Sequence, residues 1–245
     1  MSIFTTVPLL AFISQSGNVM KTSLAAAVAT ELAKTPDLKI LTIDLDHEHR
    51  KQGSISKWNM LRSAYHPDRE RFEIQSPDSV AQAIDIINAA RDYDAIILDC
   101  PSRATKATVA LAEDVDLVVM PMTPTDKDMD LTVETASMIV EAGIPLSRFA
   151  AVLTRCRTKA AVRDYKSALA AQNINRVEGQ HIFVVPHAIM EMESYTLAMN
   201  KGLAITEAST ASLRAAAKLT ANAIIERFME LTEHKYQPQI LEGAA

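Results

Sequence analysis

Phe12-Ile13-Ser14-Gln15-Ser16-Gly17-Asn18-Val19-Met20-Lys21-Thr22-Ser23 decides how the rest of this chain is read. The apolar run from Pro8 to Ile13 reads as a buried strand, and the Ala- and Leu-rich stretch Leu24 to Lys34 reads as a helix. Strand, polar turn, then a helix opening on Lys-Thr is the layout of a phosphate-binding loop. The first turn of a helix carries unpaired N–H groups and a partial positive charge, which attract phosphate. Lys21 adds a full charge, and a hydroxyl such as that of Thr22 can ligate magnesium. The usual form is G-x-x-x-x-G-K-[ST]. Here Gln15 and Met20 occupy the two glycine positions and only Gly17 remains. The plainer alternative is an ordinary strand-to-helix turn with Lys21 in solvent.

The following segments bear on that choice. Lys39 to Ile43 reads as a second strand ending in Asp44-Leu45-Asp46, whose alternation puts both carboxylates on one face. Ligands of open parallel sheets sit at the carboxyl ends of strands, where two acids can orient water or hydrated magnesium. Read alone, the pair is equally a solvated turn. His47 to Gly53 reads as a loop, with Ser54 as the cap of a short helix carrying Trp58, a packing residue. Phe72 to Ile74 reads as a short strand. A helix starting on Ser76-Pro77-Asp78 has Val80, Ala83, Ile84, Ile87 and Ala90 on its buried face. Ala95 to Leu98 is a continuous apolar run tipped by Asp99, as in a buried parallel strand. Strands at 115–121, 150–153 and 182–186 alternate with helices at 126–141 and 159–171. A short helix from about Glu191 precedes a long one from about Ser209 to Leu231. This alternation predicts a mostly parallel sheet covered by helices on both faces, a three-layer α/β sandwich.

Composition fits that architecture. The chain has 245 residues, 48% hydrophobic and 22% charged, with no linker dividing it, which predicts one domain over 1–236 and a frayed tail over 237–245. A net charge of −5 argues against a globally basic nucleic-acid binder but not against a local patch. Two cysteines, Cys100 and Cys156, make no disulfide framework and suit a reducing cytoplasm. No signal peptide is expected, and no apolar run approaches the ~20 residues that span a bilayer.

The order of these motifs resembles the ParA/MinD family of partition and positioning ATPases, which carry a deviant phosphate loop. The matching segments are Ser14 to Ser23, Asp44-Leu45-Asp46-His47-Glu48, Ser54 with Trp58, Asp99-Cys100-Pro101-Ser102, Pro121-Met122-Thr123-Pro124, and Val185-Pro186 with Gly202. They span about Leu9 to Phe228. The resemblance implies a P-loop NTPase fold that binds ATP or ADP with Mg2+. The loop from Gly17, Asn18, Val19 and Met20 to Ser23 would cradle the phosphates. Lys21 would contact the β- and γ-phosphates, Thr22 would ligate magnesium, and Ser23 would meet the α-phosphate. Asp99 would hold the metal through water, Asp44 would position the attacking water, and Pro186 would border the adenine.

The departures from the pattern concern chemistry. The family's signature lysine, which crosses an ATP-bound dimer to stabilise transition-state charge, is replaced by Ser16. Loss of such a group can lower the rate ~10³-fold or more. Met20 puts a side chain where glycine's freedom is usually needed. Arg103 is a candidate substitute cation, with a plain surface arginine as the alternative.

Family members dimerise with ATP and bind DNA non-specifically through basic helices. The candidates for that role are Arg155, Arg157, Lys159, Arg163 and Lys166, joined by Arg214, Lys218 and Arg227; the alternative is a solvated helix face. The expectation is thus a cytoplasmic, homodimeric, nucleotide-dependent switch in plasmid partition or conjugative DNA transfer, with impaired hydrolysis and a partner protein from that machinery. The alternative is a non-hydrolysing interaction module of the same fold. A nitrogenase-iron-protein-like or dethiobiotin-synthetase-like role fits less well, since neither cysteine lies in a glycine-rich setting. A membrane-positioning role lacks the basic amphipathic C-terminal helix it requires.

Overall fold

β1 (Leu9–Ser14) is buried along its whole length and lies at the centre of the sheet. The computed structural model describes residues 6–46, 55–102, 111–171 and 182–236. Side chains of β1 alternate between two apolar clusters. Leu9, Ala11 and Ile13 face one, and Leu10 and Phe12 the other. That is the period of two expected of a strand, here with both faces covered.

Six further strands join it: β2 (Ile40–Asp44), β3 (Glu73–Gln75), β4 (Ala95–Ser102), β5 (Leu117–Met122), β6 (Phe149–Leu153) and β7 (Phe183–Val184). Their order is β3-β2-β4-β1-β5-β6-β7, and every pairing is parallel. The chain therefore leaves β1 for β2 and β3 on one side, returns to insert β4 between β2 and β1, and then runs outward on the other side through β5, β6 and β7. That reversal is the place where a parallel sheet opens a crevice beyond its strand tips.

The α-helices within the described residues are α1 (Lys21–Leu32), α2 (Ile55–Tyr65), α3 (Val80–Ala89), α4 (Asp126–Glu141), α5 (Lys159–Ala171), α6 (Glu193–Met199) and α7 (Ala211–Tyr236). Leu24, Ala25 and Val28 of α1 share the Phe12 cluster with Ala217, Ile224 and Phe228 of α7. The alanines let α1 lie close to the sheet and α7 at once. On the opposite face, Ala83, Ile84 and Ile87 of α3 and Ala136 and Ile139 of α4 pack on Leu41, Ile96 and Val118. These two layers with the sheet between them make the three-layer sandwich.

Several boundaries move from the sequence expectation. α1 starts at Lys21 rather than Leu24, because Met20 adopts a left-handed conformation and Leu24 N already donates to Met20 O. α3 starts at Val80, not on Ser76-Pro77-Asp78; Ser79 caps it, its Oγ accepting from Gln82 N. The last strand shrinks to Phe183–Val184, and α7 runs to Tyr236. Ser54, Arg103, the 47–53 loop and the 237–245 tail lie outside the described residues.

Two buried polar ties hold elements of the fold together. Arg62 of α2 is 1% exposed and forks onto Glu207, Nη1 to Oε2 at 2.7 Å and Nη2 to Oε1 at 3.1 Å. It also donates to the Glu70 and Gly202 carbonyls and lies over the Trp58 ring, which stacks on Phe72. Gly202 has φ +73, and a Cβ there would stand 2.2 Å from Arg62 N, so only glycine fits. In the second tie, Asp116 Oδ2 accepts from Leu9 N and from Lys235 Nζ, both at 2.8 Å. No helix among the described residues is long and apolar enough to cross a membrane.

Candidate phosphate-loop site

The turn between β1 and α1 is shaped by backbone and side-chain hydrogen bonds. Ser16 N donates to Ser14 Oγ at 3.0 Å, which tightens the exit from the strand. Asn18 and Met20 then take φ of 60° and 62°, while Val19 between them does not. Alternating handedness of this kind turns successive N–H groups to one side, the concavity known to bind anions. Asn enters that region readily; Met does so at a strain of order 1–3 kcal/mol. The Met20 side chain packs partly buried against the Phe12–α7 cluster. It lines a cleft of about 430 Å3 without closing it. Gly17 has open space where a Cβ would be and no positive φ, so neither packing nor backbone shape demands glycine there.

Ser16, the loop residues, Lys21 to Ser23, Asp46 and Ser102 line this cleft. Lys21 is 6% exposed. Thr22 Oγ1 donates to Asp99 Oδ2 at 2.7 Å, from the helix start to the carboxyl half of β4. The other carboxyl oxygen, Asp99 Oδ1, is buried and has no hydrogen-bond partner among the described residues. Burial raises Asp99 to a pKa of about 6, against the pull of Lys21 and the Thr22 hydroxyl, and Asp44 and Asp46 add to the rise. A hydroxyl and an orphaned carboxylate oxygen are the hard oxygen donors that magnesium accepts, so these residues fit the ion. Cys100 beside Asp99 is held as a thiol, since burial pushes it up to about 12.

The two acids at and just beyond the end of β2 part company. Asp44 pairs in register with Asp99, but its Oδ2 accepts from Ser56 Oγ and Ser56 N, and its Oδ1 from Asp46 N. Asp44 thus anchors the start of α2, and Asp46 is the one lining the cleft. Ser16, at the signature-lysine position, donates to Asp128 Oδ1 at 2.6 Å. Asp128 Oδ2 in turn accepts from Thr123 N and Oγ1, and Thr125 caps α4 by accepting from Asp128 N. The Thr125-x-x-Asp128 spacing is a helix-start signal visible in sequence. Its reach to Ser16 is not.

A neighbouring cleft of about 470 Å3 adjoins the loop, between Met20 and Ser23 on one side and Met192, Tyr195 and Met199 on the other. Pro186 is not among its lining residues; its carbonyl accepts from Lys166 Nζ. The candidate basic residues are dispersed in their bonding. Arg155 donates to Glu191 Oε1 through Nε and Nη2 and to Asn18 O through Nη1, while Arg157 Nε meets Glu191 Oε2 at 2.7 Å. Arg163 pairs with Asp164. Arg214 donates to the Ala208 and Ser209 carbonyls and Arg227 to Ser147 O and Glu230. Lys159 is exposed and Lys218 half-buried.

A helix that opens with a buried lysine and a metal-ready hydroxyl, above acids at neighbouring strand tips, belongs to the phosphate-loop class of nucleotide-binding domains. Residues 10–204 match the CobQ/CobB/MinD/ParA nucleotide binding domain. The chain belongs to that family. No curated protein matches it by sequence. Among solved structures it resembles the MinD cell division protein of Aquifex aeolicus, with TM-score 0.64 and 17% identity over 90% of this chain and 98% of that one. It resembles McdA of Cyanothece, solved with ATP, at TM-score 0.62 and 16% identity over 94% and 98%. A Borrelia burgdorferi B31 protein assigned to plasmid partition and bound to AMPPNP gives TM-score 0.60 and 16% identity over 91% and 99%. At these identities the likeness is one of fold.

Proposed function

We propose that this chain is an ATP-binding switch that dimerises on its nucleotide, turns it over slowly, and serves plasmid partition or conjugative DNA transfer in the cytoplasm. The observation that carries the reading is the pairing of the Thr22 hydroxyl with Asp99, one of whose oxygens has no hydrogen-bond partner among the described residues and which feels the charge of Lys21. Thr22 and Asp99 would hold magnesium, whose charge would offset that of the phosphates. Lys21 would meet the phosphate oxygens, and the loop N–H groups would surround them. The adjoining cleft has room for a base, and Pro186 would border it from further out. ATP and AMPPNP in two proteins of like fold support the nucleotide class, and the Borrelia protein supports the plasmid setting.

Slow turnover follows from the site's own residues. Ser16 carries no cation and is tied to Asp128, so the position offers no charge to a partner's phosphates. Asp44, expected to orient water, is occupied with Ser56. The same two observations favour a second reading, a non-hydrolysing interaction module for a partition or transfer partner. Phosphate release measured with and without DNA separates the two.

The nucleotide site itself is tested by titrating Mg-ATP into wild type and Lys21→Ala, with sedimentation velocity as the dimer readout. Wild type should bind and dimerise, and Lys21→Ala should bind at least tenfold more weakly and stay monomeric. Equal binding by both proteins would remove the phosphate loop from the reading.

A further inference from the structure

The tip of β6 reaches across β5 to the phosphate loop. Thr154, fully buried, donates through Oγ1 to Val19 O at 3.0 Å, and the same hydroxyl touches Met122 O at 3.1 Å. The next residue, Arg155, has φ 51 and donates through Nη1 to Asn18 O at 3.1 Å. Its remaining donors grip Glu191, which Arg157 holds from the other side. Two consecutive loop carbonyls are therefore drawn toward β6.

In a planar trans peptide the N–H points opposite to the C=O. Carbonyls of Asn18 and Val19 held toward β6 thus turn the N–H groups of Val19 and Met20 the other way. Asp46 and Ser102 of the cleft lie on that other side, since β2 and β4 flank β1 opposite to β5 and β6. The geometry points to Thr154 and Arg155 as positioning residues that hold the phosphate loop in its anion-binding shape. They do so where the two glycine positions of an ordinary loop hold Gln15 and Met20, and where two non-glycine residues stand at positive φ. Glu191 is the strut that keeps the guanidinium fork aimed at Asn18. The inference rests on the nucleotide reading only for what the loop binds; the clamp itself is a property of the chain alone.

Thr154→Val removes the hydroxyl at constant shape, Thr154→Ser restores it, and Arg155→Asn shortens the side chain while tolerating positive φ. Arg155→Lys keeps the charge but loses the fork. Two readouts apply to the full chain: Mg-ATP affinity, and the NMR order parameters of the Val19 and Met20 amides without nucleotide, which report backbone rigidity directly. Thr154→Val, Arg155→Asn and Arg155→Lys should each lower those order parameters from the rigid range of about 0.85 to below about 0.6 and weaken Mg-ATP about tenfold. Thr154→Ser should match wild type, and circular dichroism should be unchanged in all four. Unchanged order parameters in the first three would overturn the clamp whatever happens to affinity. An Arg155→Lys protein that behaves as wild type would overturn the forked role of Arg155. If wild type binds no Mg-ATP while the order parameters still fall in the variants, the nucleotide reading fails and the clamp stands.

Discussion

Asp99 is the residue on which the electrostatics of the cleft turn. Buried beside Lys21, it nevertheless has its pKa raised from 3.8 to about 6, because desolvation outweighs the lysine and the Thr22 hydroxyl. A carboxyl raised on folding binds its proton more tightly in the native state. The nucleotide-free protein is therefore most favoured by this group at low pH and loses stability as pH rises from about 4 through about 6. Ionising Asp99 in place costs roughly 3 kcal/mol by this linkage. Asp99→Asn keeps an acceptor for Thr22 and removes the charge. Its melting temperature near pH 7 should rise above wild type, and the fall between about pH 4 and 6 should flatten, as read by thermal melts across pH. Mg-ATP binding by the same variant should weaken at least tenfold. A site that is strained when empty and satisfied when loaded is what a ligand-driven switch requires. The sequence made Asp99 legible, as an acid closing an apolar run. It did not show that Asp44 would turn to Ser56, since that choice depends on where α2 begins.

Among the elements, α2 is held by its buried arginine and by the chain after α6. Arg62 and Glu207 are 1% and 3% exposed at their side chains, and removing one partner strands the other's charge. Burial alone would push Glu207 up, yet Arg62 and the Ala204 N–H outweigh it and leave it lowered. Arg62→Met should destabilise by roughly 3–5 kcal/mol in urea titration. Gly202→Ala meets Arg62 backbone at 2.2 Å and φ +73 together, and should fail to give a cooperative transition at all. Measured stability equal to wild type for Gly202→Ala would mean that α2 sits differently. Helix and strand content was readable from the alternation of apolar runs, because each run is local. The loop clamp was not, because its partners lie 135 and 137 positions apart and one of them is a threonine hydroxyl. Starts of α1 and α3 were misplaced for a similar reason. A methionine at positive φ and a serine cap two residues after a proline are decided by geometry that propensity does not encode.

For the whole molecule, the net charge of −5 means that any DNA contact must be local. Arg155 and Arg157 share Glu191 beside the cleft that adjoins the loop, so they are poor candidates for phosphates of a duplex unless that acid is released. Lys159 and Lys218 carry no such partner in the geometry described, and Arg163 holds only an exposed pairing with Asp164. If these three grip DNA in the ATP-bound dimer, binding should fall steeply with salt, and Lys159→Ala with Lys218→Ala should flatten the slope of log affinity against log salt by about two per protomer. Fluorescence anisotropy over a salt series reads this directly. A slope identical to wild type would move the contact elsewhere on the surface.

The carboxylate of Asp116 joins the first strand to the end of the last helix, taking Leu9 N–H and the Lys235 ammonium on one oxygen. Cutting the chain ahead of Lys235 would remove the ammonium and leave that carboxylate with a single amide hydrogen bond on this oxygen and its charge uncompensated by this lysine. The practical result concerns labelling: a fluorophore or affinity tag belongs after residue 236, on a spacer, because a fusion grafted into the final turn would loosen the strand that feeds the phosphate loop from behind.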